Sequence, residues 1–191
     1  MKSRSHANRG QTLEYFMRYA NQKYEQYGIA IVTKIPTEFI PLRDGYGKVY
    51  SCKVAGKSSV DFIGRVGKVP LAAEAKETST DSIRFDAVQD HQADFLTAYE
   101  GQGEGIAFVV VSFGLNSFYT IPWAFWKPAR DAWKEAQLRN KRKAEQITIT
   151  YEGQTWTTTG KASVKESELL PEWKVEQGGR YGLDYLRRYI A

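Results

Sequence analysis

Apolar positions in the first thirty residues recur at helical spacing. Leu13, Phe16, Met17, Ala20, Tyr24 and Tyr27 follow one stripe and Gly28 supplies a stop, which predicts an amphipathic helix from Arg9 to Tyr27. The short β-branched segment Ile29–Lys34, closed by Pro36, reads as a strand leaving that helix. Between Pro36 and Ser58 the pattern loosens into prolines and glycines interleaved with Tyr46, Tyr50 and basic residues, an excursion best built as a β-ribbon. Ser59–Ile63 and Val69–Thr78 then read as two adjacent strands joined through Gly64–Lys68. Asp90–Glu100 has helical spacing at Phe95, Leu96 and Tyr99, Gly105–Phe113 is a buried strand, and Ser117–Trp123 is its candidate partner. After Pro128 the pattern predicts a basic helix to about Lys143, then a hairpin of Gln146–Tyr151 and Gln154–Thr159 around Glu152-Gly153, and a closing helix over Tyr181–Ile190. Helix, mixed strands, helix and strands in that order indicate an α/β fold with a central mixed sheet.

Length and composition set the frame for that pattern. With 191 residues, 42% of them hydrophobic, the chain can bury a sizeable core and is expected to form a single domain over residues 1–191, with residues 1–8 a flexible basic arm. The longest purely apolar run, Ile106–Val111, falls far short of the roughly 20 residues that cross a bilayer, and no apolar stretch follows the basic N-terminus. Those features lead to the expectation of a cytoplasmic protein with no membrane segment. Cys52 is the single cysteine, so an intrachain disulfide and a thiolate metal cluster are both excluded.

Net charge is +5, which favours a polyanionic partner. Between Lys127 and Lys143 seven basic residues face only Asp131 and Glu135, so this stretch alone accounts for the whole excess. A solvated helix face would explain such a run equally well. Arg139, Lys141, Arg142 and Lys143 are the candidate DNA contacts within it, on charge alone, in a basic helix plus hairpin extension over residues 127–165.

The chemistry concentrates elsewhere. Asp61 is followed thirteen positions later by Glu74-Ala75-Lys76-Glu77-Thr78. On a strand, alternate side chains share a face, so Glu74 and Lys76 point together and Ala75 points away. If the strand carrying Asp61 pairs beside it, two carboxylates and one ammonium converge. Such a set suits a hard cation such as Mg²⁺, which keeps several of its waters. A phosphodiester is an anionic, poor electrophile, and a bound divalent cation both screens it and activates water, while Lys76 could orient that water and stabilise developing charge. Alternating charges also occur on many exposed edge strands, but the apolar run Pro70–Ala73 before Glu74 argues for a covered one.

These residues resemble the PD-(D/E)xK nuclease superfamily and, within it, the RecU family of Holliday junction resolvases. Four separated pieces carry the likeness: Asn8-Arg9-Gly10 with Leu13-Glu14, Asn21 and Tyr24; Gly28-Ile29-Ala30 with Lys34, Pro36 and Thr37; Val60-Asp61-Phe62 and Gly64 with Glu74–Thr78; and His91-Gln92 followed by Gly105–Phe108. The resemblance implies a restriction-endonuclease-like core with a projecting stalk over residues 36–58. It implies that Asp61 and Glu74 bind Mg²⁺, with Mn²⁺ able to substitute, that Lys76 is the catalytic lysine, and that Gln92 completes the metal site from a helix. Glu14 takes the first-helix acid position, where it would reach the metal directly or through water, although a surface glutamate fits it as well. Arg9 looks like a phosphate contact, Lys34 is a further candidate DNA-binding residue, and Arg43, Tyr46, Lys48, Tyr50, Lys53 and Lys57 are the stalk groups that would meet branched DNA. The implied assembly is a homodimer that makes paired, symmetric nicks in a four-way junction, with recombination proteins as possible partners.

The chain departs from the family pattern at Glu38, where many members have a second proline, and at Val60, where many have a threonine. A duplex-cutting nuclease of the same superfamily, a junction-binding protein without catalysis and a ribonuclease are the alternatives. Intact Asp61, Glu74 and Lys76 argue against the second, and the stalk against the third.

Overall fold

The structure is a computed structural model that describes residues 9–56, 58–138, 146–158 and 160–190. Helix α1 (Arg9–Gln26) leads into β1 (Ala30–Lys34), and β2 (Phe39–Arg43) and β3 (Val49–Val54) form the excursion. Strands β4 (Phe62–Val66), β5 (Val69–Thr78) and β6 (Ser82–Arg84) precede α2 (Asp90–Gly101), then β7 (Ile106–Phe113), β8 (Ser117–Pro122) and α3 (Trp123–Leu138). Behind these come β9 (Ile147–Tyr151), β10 (Gln154–Thr158), β11 (Ser163–Lys165), β12 (Gln177–Gly178) and β13 (Gly182–Leu183).

The central sheet has five strands in the order β1-β4-β5-β7-β8. Its pairs are antiparallel except β5 with β7, whose parallel register requires the crossover that contains α2. This is the mixed α/β architecture expected from the residue pattern. Strand alternation divides the core in two. Leu71, Ala73, Phe108 and Val110 face α1, where they pack with Leu13, Met17, Ala20 and Tyr24. Ala72, Val109, Val111 and Ile121 face α2 and α3, where they meet Leu96, Trp123, Phe125 and Trp126.

Three details differ from the sequence reading. β4 runs through Gly64 and Arg65 to Val66, so the connector to β5 is the tight turn at Gly67-Lys68 rather than Gly64–Lys68. Helix α3 begins at Trp123 and carries Pro128 inside it; burial of Trp123, Phe125 and Trp126 outweighs the one backbone bond that the proline cannot donate. The segment from Tyr181 is no helix but β13 followed by a single 3₁₀ turn at Arg187–Tyr189. Gly182 takes a left-handed φ of 73° there. Beyond it Tyr185 reaches back to Asn21, while the Tyr24 hydroxyl donates to Asp184 at 2.8 Å, so the chain end closes over α1 through a short strand and successive turns.

Among the described residues, strands β2 and β3 pair only with each other. At the tip Asp44 accepts the Tyr46 and Lys48 amides at 2.9 Å each, and Gly47 supplies a positive φ, which closes the turn locally.

Candidate active site

The site forms where two strands part. The β4–β5 ladder ends at Phe62↔Ala73. One residue further, carboxylates replace the backbone partners: the Asp61 amide donates to Glu74 Oε2 at 3.1 Å, and the Ala75 amide donates to Asp61 Oδ2 at 3.0 Å. This reciprocal exchange fixes both acids at the fork. The Ile35 amide donates to the Asp61 carbonyl at 2.8 Å, so β1 holds the other side of the same residue.

Glu74 is 1% exposed, and Lys76 lies on its side of β5 with Nζ 2.6 Å from Glu74 Oε1. Gln92, in the first turn of α2, donates Nε2 to the same oxygen at 2.6 Å. Its Oε1 accepts from the Gln89 amide at 3.0 Å and from Lys76 Nζ at 3.3 Å. The amide is therefore set by partners at both ends. In this orientation Gln92 orients Glu74, and a ligand role through Oε1 would displace either the Lys76 ammonium or the Gln89 amide from that oxygen.

Burial pushes the Glu74 carboxyl up to about 8, and the neighbouring Asp61 charge pushes the same way; Lys76 opposes both and loses. The cluster holds two acids against one ammonium in a poorly solvated place. Its donors are oxygens, so a hard divalent cation fits the charge deficit and the donor chemistry together. Among the described residues no group of three His, Cys, Asp or Glu side chains forms a metal cage, so Asp61 and Glu74 would be the only carboxylate ligands.

Glu14 is not brought to this cluster. Its carboxylate is paired with Lys34, whose ammonium also sits 5.8 Å from the centre of the Phe62 ring on the α1 side of the sheet. The two residues expected to serve metal and DNA separately thus occupy each other. His91, half-buried, places Nε2 3.0 Å from the Ser58 carbonyl and ties α2 to the end of the excursion. Gln89 was the residue the motif reading passed over. The spacing Gln89-x-x-Gln92 ahead of a helix was the available signal, since a side chain three residues in can satisfy the first free amide.

The candidate DNA contacts are spread over the surface. Arg43, Tyr46, Lys48, Tyr50 and Lys53 are all exposed on the β2–β3 hairpin, with Tyr46 at 99% and Tyr50 at 68%. Lys57, Arg139, Lys141, Arg142 and Lys143 lie outside the described residues, as does the side chain of Arg9. No helix among the described residues is long and apolar enough to cross a membrane.

A mixed sheet that presents Asp61 and Glu74-x-Lys76 at the fork between strands, with a glutamine from the crossover helix, has the arrangement of the PD-(D/E)xK nuclease class. The model of the family described as RecU, Recombination protein U, matches residues 8–186, and the chain belongs to that family. It is 33% identical over 133 residues to the Holliday junction resolvase RecU of Bacillus pumilus, a stretch covering 64% of each protein, just under two thirds of that relative. It is 31% identical over 152 residues to the Holliday junction resolvase RecU of Lactobacillus delbrueckii subsp. bulgaricus, covering 76% of this chain and 72% of that one. Among solved structures, that of Archaeoglobus fulgidus Hjc, a Holliday junction resolvase, aligns with 60% of this chain and 72% of its own at a TM-score of 0.39 and 13% identity, a similarity too low to inform the site.

Proposed function

We propose that this chain is a divalent-metal-dependent endodeoxyribonuclease that resolves four-way DNA junctions. The observation that carries the reading is the fork itself: Asp61, Glu74 and Lys76 converge in a chain of the RecU family, and Glu74 is left short of positive charge. Asp61 and Glu74 would hold Mg²⁺ or Mn²⁺, with Gln92 bounding the site from α2. When bound, the ion supplies Lewis acidity toward a phosphodiester oxygen and a water. Lys76 keeps its ammonium beside Glu74, where it orients the attacking water and stabilises the charge that develops on phosphate. Burial of Glu74 keeps bulk water from competing for the oxygen on which Lys76 and Gln92 converge.

Junction specificity fits the exposed hairpin. Tyr46 and Tyr50 can stack on bases unpaired at a branch point, and Arg43, Lys48 and Lys53 can neutralise the phosphates crowded there, with no base-edge readout required. In this reading the chain is one nuclease domain that works as a homodimer in the cytoplasm, each copy nicking one of two symmetry-related strands. The test offers the protein a synthetic four-way junction and a linear duplex of the same sequence in Mg²⁺. Paired, symmetric nicks in the junction with the duplex left intact are expected. Equal cleavage of both would make it a general duplex nuclease, and tight junction binding without cleavage in Mg²⁺, or in Mn²⁺ on repeating the assay, would make it an architectural protein.

A further inference from the structure

Gln92 can orient Glu74 only if the first turn of α2 is held in place; His91 ties one side of that turn to Ser58, and α3 grips the residues around Gln89. Arg130 is 5% exposed on the core-facing side of α3, near Trp126 and Ala129, too deeply placed to touch DNA. Its Nε donates to the Val88 carbonyl at 3.3 Å, and its terminal nitrogen is paired with the Asp90 carboxylate. Lys134, one turn further along α3, donates to the same Asp90 oxygen at 2.5 Å. Val88 and Asp90 flank Gln89, whose amide anchors Gln92 Oε1 at 3.0 Å. Gln92 Nε2 then meets Glu74 at 2.6 Å.

We infer that Arg130 is a positioning residue for the nuclease centre: by clamping the residues on either side of Gln89, it fixes the anchor that aims the Gln92 amide at Glu74. A guanidinium suits this task because its rigid planar fork holds Nε and the terminal nitrogens in fixed, diverging directions, one toward a carbonyl and one toward a carboxylate, where an ammonium on a flexible stem has no such fixed fork. Lys134 supports the Asp90 arm only, so it cannot replace the contact to Val88.

The inference rests on the proposed nuclease reading for its catalytic consequence, but not for its structural content. The experiment therefore has two readouts on Arg130→Met, Arg130→Lys and Asp90→Asn. The first is the side-chain amide resonance of Gln92, assigned with Gln92→Ala, and the hydrogen exchange of that amide. The second is single-turnover nicking of a four-way junction in Mg²⁺ alongside junction affinity. In Arg130→Met the Gln92 resonance should move toward that of a free amide and exchange faster. The cleavage rate should fall by about tenfold or more, as displaced catalytic groups generally cause, while junction affinity stays within about twofold. Arg130→Lys should recover part of the rate, and Asp90→Asn should fall between wild type and Arg130→Met. A Gln92 amide unchanged in Arg130→Met overturns the inference whether or not the protein cleaves, and so does a loss confined to junction affinity. If Arg130→Met fails to fold, the same comparison is made on Arg130→Lys and Asp90→Asn, and an unchanged Gln92 amide in both overturns the inference. A wild type that does not cleave refutes the nuclease reading and leaves the amide measurement to decide the clamp.

Discussion

Replacing Gly64 with alanine should cost more than most single methyl groups can. A Cβ built on Gly64 lies 2.1 Å from the Ile31 carbonyl oxygen and 2.7 Å from Val32 Cα, where ordinary contact begins at 3.4 Å. Both atoms are backbone, so no rotamer change can relieve the overlap and β1 must retreat by about 1 Å. Overpacking of this kind costs about 1–3 kcal/mol. Loosening the ladder between Ile31 and Lys34 adds about 1 kcal/mol for each hydrogen bond lost. With about two such bonds lost, the expected total is about 3–5 kcal/mol. Urea unfolding followed by circular dichroism measures it, with Gly45→Ala as the control, because nothing lies within 4 Å of a Cβ there and its φ is ordinary. Gly45→Ala should stay within about 0.5 kcal/mol of wild type. Since Ile35 holds the Asp61 carbonyl, the Gly64 variant should also lose nicking activity at temperatures where it remains folded. A Gly64→Ala protein within about 1 kcal/mol of wild type, with unchanged amide protection in β1, would refute the close approach and its account of this motif glycine.

Three further outcomes follow from the same geometry. In metal-free protein Glu74 holds its proton to about 8 against an ordinary 4.5, so its stabilising contribution is complete below the ordinary value and is lost as pH rises through about 8. At about 1.4 kcal/mol per pH unit the loss is bounded near 5 kcal/mol; chelator-treated wild type should show it in urea titrations from pH 5 to 9, Glu74→Gln should not, and parallel curves would contradict the charge deficit. Tyr185→Phe leaves the buried Asn21 oxygen without its donor and should cost about 1–3 kcal/mol in the same assay, an unchanged midpoint counting against the chain-end closure. Tyr46→Ala with Tyr50→Ala should weaken junction binding by about tenfold or more in fluorescence anisotropy, while binding to linear duplex and thermal stability stay the same; equal weakening on both DNAs would remove the hairpin from the branch point.

The site was more legible in the sequence than several of the elements around it. Period-two alternation suffices to put Glu74 and Lys76 on one face of a strand, and the apolar run before them marks that strand as covered, so the convergence with Asp61 needed only one correct pairing. The α1 stripe and the apolar strand β7 were equally plain because burial there follows one simple period. β4 was misread because Gly64 and Arg65 look like a turn, whereas the glycine lies inside the strand to admit the backbone of β1. Tyr181, Tyr185 and Tyr189 mimic helical spacing, yet they belong to a segment of one short strand and successive tight turns, and their rings are anchored to α1 and the central sheet. Pro128 suggested a helix start because its missing amide is harmless there, while the burial that starts α3 earlier depends on partners far away in sequence. The pairing of Glu14 with Lys34 and the grip of Arg130 on α2 are likewise tertiary facts, set by which faces meet rather than by any local pattern.

The most direct test of the nuclease centre is strand-specific nicking of a four-way junction by wild type, Asp61→Asn and Glu74→Gln, each with Mg²⁺ and with EDTA. The account predicts paired nicks by the wild type in Mg²⁺ only, loss of at least about a hundredfold in either variant, and junction affinity retained by both. Cleavage that survives in the two variants, or that persists in EDTA, would contradict it.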